Sequence, residues 1–229
     1  MTTAPPALIR RVSAEFIGSA SLTTIVVGSG VAATNLTSDV GLQLLINAIA
    51  TAFGLFMLIT VFGPLSGAHF NPLVSVADYA LGLRGLKDIS PYVVAQVLGC
   101  IAGSILANAM FDLAAVSWST TDRATPAHLL AEVVATAGLI FIIFTLVHTD
   151  HAHFAPAVVA TYIGAAYFFT SSTSFANPAI TSGRMFSDSF AGIAHSSVLP
   201  YIGAQIIGAA LGFAAMKALA PAAPARAAH

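Results

Sequence analysis

The chain has 229 residues, 57% of them hydrophobic and only 7% charged, where a soluble domain carries roughly 25% charged residues. With a mean hydropathy of +0.88, too much surface is apolar for water, and lipid is the expected solvent. A net charge of −1 and a single cysteine argue against a nucleic-acid partner, an internal disulfide and any cysteine-based metal cage.

A helix needs about 20 apolar residues to span a bilayer. Six stretches qualify, roughly 12–34, 42–63, 91–111, 127–148, 156–172 and 196–219. Arg10-Arg11 and the apolar run from Ala14 to Ala33 imitate a signal peptide. The run is too long for that, and no convincing cleavage site follows it, so it is read as the first span. Between the second and third spans lies SGAHFNPLVSVADYALG, residues 66–82. Cys100 falls inside the third span and reads as a small buried residue. Residues 112–126 form a polar linker, expected to be exposed. His148, Asp150, His151 and His153 share one short loop, which reads as solvated; metal binding or pH gating is the sharper alternative. Between the fifth and sixth spans lies TSFANPAITSGRMFSDSFAG, residues 173–192. The Ala/Pro-rich end, 220–229, reads as a disordered tail. The spans use up the chain, so a single membrane domain over 1–229 is expected.

That domain is duplicated. Asn71-Pro72-Leu73 returns as Asn177-Pro178-Ala179. Pro91-Tyr92 and Gln96 return as Pro200-Tyr201 and Gln205, and Ala14-Glu15 returns as Ala131-Glu132. Repeat one covers about 10–111 and repeat two about 127–219. Three spans per repeat force the second to enter from the opposite side, giving an inverted repeat with its axis in the membrane plane. Arg10, Arg11, Arg84, Lys87, Lys217 and Arg226 then fall on the side of the termini, and only Arg123 and Arg184 on the other. That bias puts both termini in the cytoplasm.

The Asn-Pro pairs carry the chemistry. Proline suits the first position of a helix and asparagine the cap before it, so a short helix is expected from each. Residues 72–82 would rise about 16 Å as a helix, half of a hydrocarbon layer of about 30 Å. Two such half-helices from opposite sides can meet N-terminus to N-terminus. Their dipoles concentrate positive potential there and repel cations, while the asparagine amides offer hydrogen bonds to neutral polar solutes. One Asn-Pro would only mark a turn; two at matched places in inverted halves point to a pore.

The loops leading into these helices must be non-helical at membrane depth, which is tolerated only where protein or a water-filled cavity satisfies the backbone. Glu15 and Glu132 are the candidate acceptors for the loop N–H groups, with Gln96 and Gln205 as helpers. A proton relay is the alternative role for two intramembrane carboxylates. Gly99 with Gly103, and Gly208 with Gly212, are small-xxx-small pairs suited to close helix packing. His69, two residues before Asn71, is a candidate pore-lining residue. The chain holds no phosphate loop, nucleotide fingerprint or nucleophile motif, so neither enzymatic activity nor a cofactor or metal is expected.

SGAHFNPLVS, NPAITSGR and the paired AEF and AQxxG elements resemble the aquaporin, or major intrinsic protein, family over essentially the whole chain. The resemblance implies six spanning helices with two re-entrant half-helices, a pore in each subunit of a homotetramer, and passive flow of water or small uncharged solutes across a bacterial inner membrane. This sequence departs from the family in two places. The first box ends in Leu73 where alanine is usual, which adds bulk near the midplane and, with Ile180, underlies the alternative of a sealed pore. Ile180 stands directly after the second box, where the family places its filter arginine, and Arg184 follows one helical turn later, towards the outer vestibule. Ungapped family spacing gives Thr51, Ala165, Ser174 and Ile180 as the filter, a wide ring without an aromatic or a cation. Seven residues past each box asparagine, Arg184 pairs with Asp78. Microbial aquaporins linked to arsenic resistance are similar in lacking the arginine, so the implied solutes are water, glycerol-like polyols and uncharged metalloid hydroxides such as As(OH)3. A water-selective or sealed member of the family is one alternative; a secondary active transporter is another, with only Glu15 and Glu132 as midplane charges.

Overall fold

Six long helices and two short ones account for most of residues 6–219, the part of the chain that a computed structural model describes. The tail 220–229, and Arg226 with it, lie outside the described residues. In chain order the elements are α1 (Leu8–Leu36), α2 (Val40–Ser66), α3 (Pro72–Ala80), α4 (Leu86–Met110), α5 (Pro126–His148), α6 (Ala155–Phe169), α7 (Pro178–Arg184) and α8 (His195–Leu219), with one 3₁₀ turn at Ala152–Phe154. Six are long and apolar enough, counting α6 with its 3₁₀ turn, to cross a membrane. The fold is that of an integral membrane protein, and among the described residues it is all-helical.

Local signals explain the element boundaries. Asp39 caps α2 by accepting from Leu42 N at 2.9 Å. Thr125 caps α5 by accepting from His128 N at 3.2 Å, with Pro126 at the first position. Gly67, at φ +96°, ends α2 in the left-handed region that glycine adopts without strain. The third and sixth spans start five and one residues earlier than hydropathy alone suggests, because a polar first turn is still helix. Pro91 and Pro200 therefore sit inside α4 and α8, where hydropathy puts Pro91 at the start of its span.

The duplication is visible in the packing. α1 lies against α4 and α5 against α8, while α7 packs on α4 and α3 touches α8, so each half-helix is held partly by the other repeat. The glycine pairs make the long contacts possible. A Cβ on Gly103 would overlap the Ala20 carbonyl, and one on Gly212 would overlap the Ala137 carbonyl. Backbones that close leave no room for a methyl group.

Each re-entrant loop hangs on a buried glutamate. Glu15 Oε1 accepts from Ser66 Oγ at 2.6 Å and His69 N at 3.0 Å. Its Oε2 accepts from Phe70 N at 2.7 Å and Gln96 Nε2 at 2.8 Å. Glu132 repeats the pattern with Phe175 N at 2.9 Å, Ala176 N at 2.9 Å and Gln205 Nε2 at 2.6 Å. The two glutamines also donate to matched hydroxyls on the half-helices, Gln96 to Ser75 Oγ at 3.0 Å and Gln205 to Thr181 Oγ1 at 2.9 Å. The loops need this help because their backbone is unusual. Ala68 and Phe70 have φ of 50° and 48°, and their equivalents Ser174 and Ala176 have 51° and 47°, which is costly for residues with a Cβ.

The segment 112–126 is mostly exposed, as a polar linker should be, but it is tethered. Ser117 N and Ser119 N donate to Phe186 O and Met185 O at 3.1 and 3.0 Å, and Ala194 N donates to Thr121 O at 2.7 Å. It forms a strap over the segment after α7. Side chains add to these ties: Arg123 donates to Gly192 O and Phe190 O at 2.7 and 3.1 Å, and Ser197 Oγ donates to Asp122 Oδ1 at 2.6 Å; hydropathy could not show this, because the partners lie about 70 residues away.

Two predictions follow from the packing and the clamps. Gly103→Val should lower stability by about 1–3 kcal/mol through overpacking, whereas Gly203→Ala, with no atom within 4 Å of its added Cβ, should be near neutral; thermal unfolding in detergent compares the two. Glu132→Gln would turn an amide NH2 towards N–H donors and leave one unpaired, at about 1–3 kcal/mol. A lower unfolding midpoint together with reduced solute flux is expected, and wild-type values in both would contradict the clamp.

Candidate functional site

The two half-helices meet at their asparagines. Asn71 Oδ1 caps α3 by accepting from Leu73 N at 3.0 Å. Asn177 Oδ1 caps α7 by accepting from Ala179 N at 2.9 Å. Each amide then crosses to the other repeat, Asn71 Nδ2 donating to Ala176 O at 2.8 Å and Asn177 Nδ2 to Phe70 O at 2.7 Å. An amide nitrogen has two hydrogens, and each cross-bond uses one. The other is available to the cavity that both asparagines line. Pro72, Pro178 and Ala179 are buried behind them.

That cavity has a volume of about 580 Å³ and runs past both half-helices. On the side of α7 its wall includes Thr51, Tyr167, Ser174, Phe175, Ile180 and Arg184. Thr51 Oγ1 and Tyr167 OH share a hydrogen bond of 3.0 Å between α2 and α6. Arg184 is 2% exposed. Its guanidinium lies 3.5 Å from the centroid of the Phe175 ring, and its Nε donates to the Ala191 carbonyl. Among the described residues no carboxylate forms an ion pair with it. The cation is therefore fixed in the wall with a ring, and no carboxylate, in direct contact.

On the other side the wall includes His69, Asp78 and Arg84. Asp78 Oδ2 lies 3.2 Å from Arg84 Nε. Ala152 and His153 line the same end of the cavity. The His-rich loop is built by ring stacking, with His153 and Phe154 centroids 4.1 Å apart and His151 and His153 6.1 Å apart. Among the described residues no three His, Cys, Asp or Glu side chains converge to hold a metal ion.

Three expected positions change. Ala165 is on the exposed face of α6 and does not line the cavity. The lumen face of α6 carries Val159, Ile163 and Tyr167 at four-residue steps, and Ala165, two residues from Tyr167, points about 200° away. Ungapped spacing misplaced the register, and Tyr167 occupies the wall instead. Leu73 is buried among Val74, Ala77, Ile140, Phe144 and Met216, so its extra bulk packs between α3, α5 and α8, away from the lumen. Arg184, expected in the outer vestibule, lies in the wall with Ile180 and Thr51. It can do so because α7 ends at that turn and Phe175 supplies a ring for the guanidinium to lie on. The sequence reading missed Tyr167, Phe175 and Arg84 as wall residues. Only Arg84 left a usable signal, a cation two residues past segment 66–82, whose half-helix carries Asp78.

Comparison with known proteins bears on this geometry. Residues 2–175 match the family described as Major intrinsic protein; the match stops two residues before Asn177. Aquaglyceroporin AqpS of Rhizobium meliloti (strain 1021) is 44% identical over 218 residues, covering 95% of this chain and 93% of that protein. Aquaporin Z of Brucella melitensis biotype 1 is 30% identical over 232 residues, covering 93% and 98%. Among solved structures, the X-ray structure of the aquaglyceroporin from Plasmodium falciparum superposes with a TM-score of 0.63 at 20% identity, covering 91% of this chain and 95% of that one; at that identity the likeness concerns the fold. The family match over most of the chain, the two near full-length relatives and the paired half-helices lead to one conclusion: the chain belongs to the major intrinsic protein family.

Proposed function

We propose that the chain is a passive channel for water and small uncharged polyols, with metalloid hydroxides such as As(OH)3 in the same class. The observation that carries this reading is the pair of asparagine amides, each with one donor on the opposite repeat and one left for the lumen. A neutral solute can exchange a hydration bond there. A cation meets two helix N-termini and then the unpaired Arg184. The 44% identical relative is called an aquaglyceroporin, which favours polyols among the neutral solutes. By this reading the filter is Thr51, Tyr167, Ser174, Ile180 and Arg184. It lacks an arginine directly after the second box and takes its cation from one turn further along α7.

One observation favours a water-selective channel instead: the Thr51–Tyr167 bond and Arg184 place an aromatic and a cation in the same stretch of wall. Proteoliposome light scattering separates the two readings. Glycerol entry well above that of empty liposomes supports the polyol channel, and water flux without glycerol flux supports the narrower one. Absence of both supports a sealed protein.

The bacterial inner membrane, cytoplasmic termini and a homotetramer complete the proposal. Charge bias supports the orientation, since Arg11 and Asp88 join the starts of α1 and α4 at 3.1 Å on the same side as Arg84. Family resemblance supports the assembly.

Two variants test the filter. Ile180→Arg should lower glycerol flux relative to water by about tenfold, the low end of what a changed pocket dimension brings. Arg184→Leu removes a fixed charge worth about 1–4 kcal/mol at 4 Å, so sodium or proton leak should rise about tenfold, while Arg184→Lys keeps it low. Unchanged leak in Arg184→Leu would contradict the role given to Arg184.

A further inference from the structure

We infer that Asp78, with His69 and Arg84, forms a second solute-binding station in the lumen, at the end opposite Arg184, that selects for hydroxyl groups. This rests on the channel reading above and says what recognises the solute at that end. Asp78 holds the place on α3 that Arg184 holds on α7. It is 8% exposed and lines the cavity. A buried carboxylate in the wall of a channel for neutral solutes calls for an explanation, because an uncompensated charge there would attract cations.

The compensation is Arg84. Its Nε stands 3.2 Å from Asp78 Oδ2, and its Nη1 donates to Tyr92 OH at 2.7 Å. Tyr92 OH in turn donates to Ser66 O at 2.8 Å, the last residue of α2. The guanidinium is thus anchored to the scaffold, and the pair carries no net charge. What remains for the lumen is polarity without a field.

That polarity has a matched donor and acceptor. His69 Nδ1 lies 2.9 Å from Ser75 Oγ. Ser75 Oγ accepts from Gln96 Nε2 at 3.0 Å; in the tautomer in which it gives its own proton to Nδ1, the ring hydrogen sits on Nε2, and that is the form the station uses. His69 Nε2 lies 4.0 Å from Asp78 Oδ1, too far for a direct hydrogen bond. Neither atom has another hydrogen-bonding partner among the described residues. An N–H donor and a carboxylate oxygen at that separation leave room for one oxygen within bonding distance of both. A hydroxyl, which donates and accepts at once, fits the gap. A bare cation would find a donor in its way, and an anion would find the carboxylate.

The experiment compares glycerol and water flux through wild type, Asp78→Asn and Asp78→Leu in proteoliposomes. Water supplies its own hydrogen-bond partners along a file, whereas a polyol presents CH groups to part of the wall and depends on the polar groups it meets. Asp78→Leu should lower the glycerol-to-water flux ratio about fivefold, the loss that one hydrogen bond of ordinary strength brings. Asp78→Asn, which keeps one acceptor, should fall between Leu and wild type. If Asp78 only holds the 81–85 turn through Arg84, both fluxes fall together and the ratio stays put; that outcome overturns the inference, as does an unchanged ratio with both fluxes intact. No glycerol flux through wild type would overturn the channel reading and this inference with it, whereas an unchanged ratio in a glycerol-conducting protein overturns the inference alone.

Discussion

Backbone N–H groups at membrane depth must find an acceptor, and everything in this protein's lumen depends on how two buried glutamates meet that demand. Each re-entrant loop abandons helical hydrogen bonding, and several of its residues, Ala68, Phe70, Ser174 and Ala176 among them, have positive φ. Left alone, such a segment would cost several kcal/mol per unpaired group in lipid. Glu15 and Glu132 absorb the N–H groups on the scaffold side. Two loop carbonyls, Phe70 O and Ala176 O, are in turn claimed by the asparagine of the opposite repeat. The clamps and the cross-bonds form one network, so the position of each asparagine is set by groups from both halves of the chain.

From that network the electrostatics follow. The half-helix N-termini face one another and repel cations. Each amide keeps one donor for a passing solute. Beyond the midplane the two ends differ although their backbones are equivalent. One end carries Arg184, stacked on Phe175 and without a carboxylate. The other carries Asp78 and Arg84 as a neutral pair beside His69. The inverted repeat fixes where these side chains stand, and divergence between the repeats decides what they are.

Much of this was legible in the sequence, and the reason is physical. Spans, boxes, clamping glutamates and glycine pairs each answer a requirement that few residue types can meet: apolar length, helix start, buried acceptor, absent Cβ. They sit at matched places in two repeats, so each copy supports the other. What was not legible concerns direction. Ala165 and Tyr167 are two residues apart on α6, but only rotation about the helix axis tells which faces the lumen. Leu73 looked like an obstruction because the sequence cannot show that its side chain packs towards α5 and α8. Arg184 looked peripheral because its approach to Phe175 is a contact across a loop. The strap at 112–126 is held by bonds to residues 185–197, such as Arg123 to Gly192 O and Ser197 Oγ to Asp122, pairings across the fold that no local pattern records.

The clamp is tested most directly by backbone hydrogen exchange, resolved to single residues, on the reconstituted protein. The amides of His69, Phe70, Phe175 and Ala176 lie in non-helical loops beside a water-accessible lumen. Bonded to buried carboxylates, they are predicted to exchange as slowly as the amides in the middle of α4 and α8. Exchange within seconds, as in a solvated loop, would contradict the account.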